Sequence, residues 1–164
     1  MKNLQARPAP PGPRLTVGLE RAEALRLLGS VSIGRIVFTQ HALPAIRPVN
    51  HVMDDGDIVI RTHEGAALAT QTGQAGDPGV VVAYEADAID PVTHLGWSVV
   101  ATGYAHLITA PGDLARYETM LRTWVDQRMD YAVRIHPEEV TGVRLIPTPG
   151  AGEPAAEAGP GRRS

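Results

Sequence analysis

The chain of 164 residues carries 15 basic and 18 acidic side chains, a formal net charge of −3, a pI near 6.0 and no cysteine. This length suits one domain with a real core, and the mild acidity gives no support to nucleic-acid or membrane-surface binding. Without cysteine, disulfides, thiolate catalysis and cysteine-ligated metals are excluded. No apolar run approaches the roughly 20 residues a membrane-spanning helix needs. The opening MKNLQARPAPPGPRL has no apolar middle of the secretory kind. The expectation is a soluble, cytoplasmic protein.

Residues 7–14 hold four prolines, and residues 147–164 hold four prolines and four glycines. Such segments bury too little apolar surface to offset their ordering entropy. Residues 1–16 and 147–164 therefore read as flexible tails around one domain, 17–146. Leu19–Leu28 places apolar residues at Leu19, Ala22, Leu25 and Leu28 and stops before Gly29, the pattern of an amphipathic helix. A strand follows over Val31–Thr39, with Gly34 inside it as a bulge or a point of close approach. Leu43–Met53 and Asp57–Thr62 form a hairpin around Asp54-Asp55-Gly56, a turn whose glycine supplies positive φ. Glu64–Thr72 reads as a short helix, Gly79–Ala88 as a strand and Trp97–Thr109 as a long strand bent at Gly103. Pro111 starts a helix with Leu114, Tyr117, Leu121, Trp124 and Val125 on one face. Val140–Ile146 is the last strand, with Glu138-Glu139 a solvated connection before it. The fold class is mainly β (α+β), an antiparallel barrel with peripheral helices.

The chemistry concentrates where Arg61 and Thr62 end a strand and Gly65-Ala66 open a helix. A helix N-terminus offers unpaired N–H groups and partial positive charge, and so receives anions; Thr62 as a plain helix cap is the competing reading. The six histidines show no metal-ligand spacing on a credible element, so no metal is expected. Ser98 lacks the context of a hydrolase nucleophile, and 71–79 (QTGQAGDPG) lacks a nucleotide-binding pattern. His51 and His106, on strands, read as ordinary half-buried histidines rather than haem ligands.

Four pieces in order, the helix leading into GSVSIGRIVFT, then LPAIRPVNHVMDDGDIVIRT, EGAALA and GWSVVATGYAHLI, give the chain a recognisable plan. It resembles the flavin-binding split-barrel proteins of the pyridoxamine 5′-phosphate oxidase-like family, over roughly residues 18–146. The resemblance implies a six-stranded antiparallel split β-barrel, a homodimer and a flavin at the dimer interface, usually FMN. It implies that Arg47, Pro48, Val49 and Asn50 run beside the flavin ring and that Arg61 and Thr62 meet the phosphate. By the same resemblance Gly65, Ala66 and Ala67 give backbone N–H groups, and Trp97 and Ser98 line the pocket. One departure stands out: relatives carry a basic residue near Ala66–Leu68, where this chain has Ala66-Ala67-Leu68 preceded by Glu64. That loss weakens a phosphate site, unless Arg61 and the helix dipole suffice or the partner donates Arg128 or Arg134. The implied function is a flavin-dependent oxidoreductase passing hydride or electrons to a small molecule, with no protein acid or base required. Arg128, Tyr131 and Arg134 are candidates for substrate contact. The alternatives are a non-catalytic flavin store, an F420-dependent reductase and a barrel without cofactor.

Overall fold

The computed structural model describes residues 12–63, 79–121 and 129–149, which form seven strands and two helices. In chain order these are β1 (Arg14–Gly18), α1 (Arg21–Leu28), β2 (Ile33–Gln40), β3 (Leu43–Asp54), β4 (Asp57–Thr62), β5 (Val80–Ile89), β6 (Gly96–Ile108), α2 (Pro111–Met120) and β7 (Tyr131–Pro147). All pairings are antiparallel, in the order β1-β7-β4-β3-β2-β5-β6, and β6 pairs again with β7. That second pairing closes β7-β4-β3-β2-β5-β6 into a six-stranded ring, the expected barrel. β1 is an addition to it, laid along the end of β7.

Alternation builds the interior. Along β2, Gly34, Ile36 and Phe38 point in while Ile33, Arg35 and Thr39 point out. β5 and β6 repeat the pattern with Val80, Val82, Tyr84 and Ala86, and with Trp97, Val99, Ala101 and Ala105. β4 breaks it, because Ile58, Val59 and Ile60 are all without exposure. Its outer face is covered: Val59 packs with Tyr117 and Leu121 of the α2 segment. A strand buried on both faces reads as a continuous apolar run, which is what IVI is. The hairpin turn is as expected, with Asp55 at φ 50° and Gly56 at φ 85° between the paired Asp54 and Asp57. Two successive left-handed residues match the twist of the flanking strands. At Gly34 a Cβ would lie 2.5 Å from the Tyr84 hydroxyl, so the close approach read from sequence has a definite partner.

Several expectations are corrected. β1 begins at Arg14, inside the segment read as a tail. Its side chains are largely exposed, and backbone pairing with β7 from Gly18↔Val143 to Arg14↔Pro147 holds it, a long-range cause invisible to composition. The last strand starts at Tyr131, nine residues before Val140, so Glu138-Glu139 lies within it rather than before it. Thr102 pairs with Glu139 and Gly103 with Pro137, which leaves Glu138 as the extra residue of a bulge. A Cβ on Gly103 would come within 1.9 Å of the His136 carbonyl oxygen, so only glycine admits that bend. From α1, Arg21 donates to the carbonyls of Pro137 (2.6 Å) and Glu138 (3.1 Å), satisfying groups the bulge leaves out of the ladder. The helix read over Glu64–Thr72, and Trp124 and Val125, lie outside the described residues. Among the described residues, no helix is long and apolar enough to cross a membrane.

Candidate functional site

The ladder between β3 and β4 is short. β3 and β4 pair from Asp54↔Asp57 to His51↔Ile60 and then part. Beyond that point β3 continues, among the described residues, on β2, through Ile33↔Asn50, Gly34↔Val49, Arg35↔Pro48 and Ile36↔Arg47. β4 continues on β7, through Arg61↔Ala132 and Thr62↔Tyr131. Arg47–Asn50 and Arg61–Thr62, both expected at the ligand, thus border one opening. Pro48, which cannot donate to a ladder, sits where β3 pairs, among the described residues, with β2 only. The strand period divides these residues. Arg47 and Val49 share the inner face with Ile36 and Gly34, while Pro48 and Asn50 face out. Thr62 is buried and inward, and Arg61 points to the opposite face, toward α2. Strand alternation therefore keeps the Arg61 and Thr62 side chains from meeting one phosphate oxygen together. Gly65, Ala66 and Ala67 lie outside the described residues.

Arg61 is the cation of a pocket of about 250 Å³ lined by Leu114, Glu118, Met129, Asp130, Tyr131 and Ala132. Its side chain is 17 % exposed, its Nη2 donates to the Met129 carbonyl at 2.7 Å, and Glu118 Oε1 lies 3.7 Å away. Leu114 and Glu118 reach the pocket because they are four apart on α2 and share a face. Sequence reasoning missed Glu118. Its only signal was its position one residue past Tyr117, on the polar side of an amphipathic helix.

What holds α2 in place was also missed, because Asp54 reads in the sequence as a turn residue. Its carboxylate instead accepts from the Tyr117 hydroxyl, from Arg116 Nη2 at 2.9 Å and from Arg134 Nη2 at 3.3 Å. Asp57 joins in, accepting from Arg134 Nη1 at 3.1 Å and lying 2.7 Å from His136 Nδ1. The Tyr117 hydroxyl, with Arg116 and Arg134 beside it, holds the Asp54 carboxyl below the usual carboxylate range. Burial, and then the bond to Asp54, push the Tyr117 hydroxyl upward. Burial opposes the Arg134 charge, but its bond to Asp57 and its contacts with Tyr117 and Asp54 outweigh that, leaving its pKa raised. Arg134, one candidate for a phosphate or substrate contact, is thereby committed to two carboxylates. Arg128 lies outside the described residues. Tyr131 is half-buried and does line the pocket.

Trp97 and Ser98 stand elsewhere. Trp97 is 7 % exposed and belongs to the core, whereas Ser98 faces out opposite Asp87. Trp97 pairs with Arg144 at the start of β6, and the Arg61 row reaches β6 through Ala132↔Ile108 at its end. Eleven residues of strand, about 35 Å, separate the two. Within one chain Trp97 and the Arg61 row thus meet β6 at its opposite ends. Arg35 pairs with Glu85 (2.9 Å) and Asp87 (3.0 Å). His51 is buried with both ring nitrogens engaged, Nε2 at 2.8 Å from the Leu28 carbonyl and Nδ1 at 2.7 Å from the Tyr84 hydroxyl. A ring so committed has no lone pair to offer a haem. His106 is exposed on β6.

Comparison with known proteins agrees with this architecture. The family model described as pyridoxamine 5′-phosphate oxidase matches residues 20–144. The uncharacterised protein Rv0080 of Mycobacterium tuberculosis is 50 % identical over 140 residues, covering 85 % of this chain and 92 % of that one. A crystal structure from Corynebacterium glutamicum, provisionally assigned as a pyridoxamine 5′-phosphate oxidase, is 34 % identical at a TM-score of 0.65. It covers 79 % of this chain and 98 % of its own. An FAD-binding protein from Mycobacterium smegmatis is 29 % identical at a TM-score of 0.56, again with 79 % and 98 % covered.

Proposed function

Because the chain belongs to the pyridoxamine 5′-phosphate oxidase family, we propose that it is a flavin-dependent oxidoreductase working as a homodimer. Its flavin, FMN in the first instance, lies along the opening between β3 and β4. The observation that carries this reading is the parting of the two strands after His51↔Ile60, beside a half-sunk arginine. An edge strand offers backbone donors and acceptors to a flat heterocycle, and a guanidinium suits a phosphate. The flavin supplies the electron chemistry when bound. The chain's part is to hold the phosphate at Arg61, align the ring on Arg47–Asn50 and exclude water. FAD and F420 carry phosphate as well and are the competing ligands, FAD on the strength of the M. smegmatis relative.

The dimer belongs to the proposal for two reasons. A pocket of about 250 Å³ is small for a whole flavin, since ligand sites commonly run to about 300–1,000 Å³. A second copy would supply the remaining wall. The outer face of β2, β3, β5 and β6 exposes Ile33, Ile46, Val81 and Val100, a surface suited to such a copy. Pyridoxamine phosphate itself is not the proposed substrate, since among the described residues the Arg61 pocket holds one cation beside Glu118 and Asp130.

The test is the visible spectrum of purified protein, followed by titration with FMN, FAD and F420. Saturable binding of one of them, about tenfold weaker in Arg61→Ala, is expected. No saturable binding of any of the three would overturn the reading. Reoxidation of the reduced complex by small acceptors then separates an enzyme from a flavin store.

A further inference from the structure

We infer that Glu118 is an internal competitor for the phosphate site. Its carboxylate shares Arg61 with any incoming phosphate and tunes how tightly this pocket holds a phosphorylated ligand. The inference deepens the proposed function and rests on it for the identity of the natural ligand.

The charges in the pocket make the case. Among the described residues that line the pocket, Arg61 is the one cation and Glu118 and Asp130 are two carboxylates. Phosphate brings between one and two more negative charges at neutral pH. It binds here only if one carboxylate is moved or its effect is outweighed. Glu118 is the one that can move. Its side chain is 70 % exposed, and its separation of 3.7 Å from Arg61 Nη2 is an ion pair without a close hydrogen bond. Little is lost when an exposed partner of this kind swings into water.

The backbone beneath it cannot follow. Tyr117, its neighbour in sequence, is fully buried and bonded to Asp54, and Val59 and Leu121 pack around the same ring. Only the Glu118 side chain is free to turn, while α2 stays against β4. Arg61 is held as well, because its Nη2 bond to the Met129 carbonyl fixes the guanidinium whether or not Glu118 is near. The site is therefore a fixed cation with a removable counter-ion. Ligands that bring their own phosphate displace Glu118; ligands without one leave it in place. The carboxylate thereby selects for phosphorylated over unphosphorylated forms less sharply than Arg61 alone would.

The experiment has two arms, each using full-length wild type, Glu118→Gln and Arg61→Ala. In the first arm, inorganic phosphate is titrated and its own phosphorus NMR signal is followed, a readout common to all three proteins. Glu118→Gln should bind phosphate about two- to fivefold more tightly than wild type, the range set by an exposed ion pair. Arg61→Ala should abolish saturable binding. Equal phosphate affinities in wild type and Glu118→Gln, or no phosphate binding in either, would overturn the inference. In the second arm, FMN and riboflavin are compared. The gain in Glu118→Gln should appear with FMN and be absent with riboflavin; a gain shared by both would also overturn it. Failure of every flavin to bind, with the phosphate result intact, would remove the flavin reading and leave Glu118 as the competitor for another phosphorylated ligand.

Discussion

Tyr84 and Tyr117 are both without solvent exposure, yet their hydroxyls live in different worlds. Tyr84 donates to His51, whose other nitrogen meets the Leu28 carbonyl, and the chain of three ties β5 to β3 and to the end of α1. The two rings also meet edge to face, with centroids 5.2 Å apart. Every member of this chain is neutral. Burial lowers the His51 pKa below its ordinary value and pushes the Tyr84 hydroxyl far above its own. Tyr117 donates instead to a carboxylate that two arginines also serve, and both guanidiniums lie over its ring, at 5.3 and 5.7 Å from the centroid. One region buries polarity by pairing neutral groups completely. The other keeps charge, shares it widely and leaves it partly wet. Rigidity belongs to the first and adjustable electrostatics to the second, and the candidate site lies beside the second.

The comparison can be broken by mutation. The largest effect is expected from Gly34→Val, whose Cβ would enter the space of the Tyr84 hydroxyl and the Glu85 carbonyl, both within 2.6 Å. Overpacking of this kind should cost about 3 kcal/mol in denaturant unfolding. A loss below about 1 kcal/mol would mean that the Tyr84 ring can shift and that the neutral chain is not rigid. Next come the matched deletions. Tyr84→Phe leaves the buried His51 Nδ1 without a donor and should cost about 2 kcal/mol, whereas Tyr117→Phe leaves Asp54 with Arg116 and Arg134 and should cost about 1 kcal/mol or less. Equal losses would erase the distinction between the two regions.

Acidification offers a third probe. His51 has a folded pKa below its ordinary 6.5, chiefly through burial, with the Leu28 carbonyl opposing. The unfolded chain therefore takes up that proton first. Stability should be full above about pH 6.5 and fall as the pH drops below it, and the fall should be smaller in His51→Gln. An unchanged pH profile in that variant would assign the acid sensitivity to other groups. The smallest effect belongs to Arg116→Ala. This pair with Asp54 has an arginine 52 % exposed, so about 0.5 kcal/mol is expected, diminishing with added salt. A loss several times larger would show that the charged region is as tightly coupled as the neutral one.

Sequence by itself determined what local chemistry controls. Asp55-Gly56 had to turn because two left-handed residues suit an aspartate and a glycine, and the alternation in β2 and β5 had to have an inside. The order of its motifs was enough to suggest the barrel and the family, both of which hold. What the tertiary structure decided depends on partners far away in the chain. β1 is a strand only because the end of β7 lies beside it, and residues 131–139 extend β7 because β4 and β6 pair with them. Arg61 and Arg134 look alike in the sequence, both flanking apolar strand residues. One is left beside a pocket and the other is taken by Asp54 and Asp57, since only folding brings the hairpin turn against β7. Trp97 points into the core by strand phase, and the parting of β3 from β4 follows from which neighbour each strand keeps. Local patterns fix turns, faces and periods. The availability of a charge is a property of the whole fold, because it is set by every group the fold places around it.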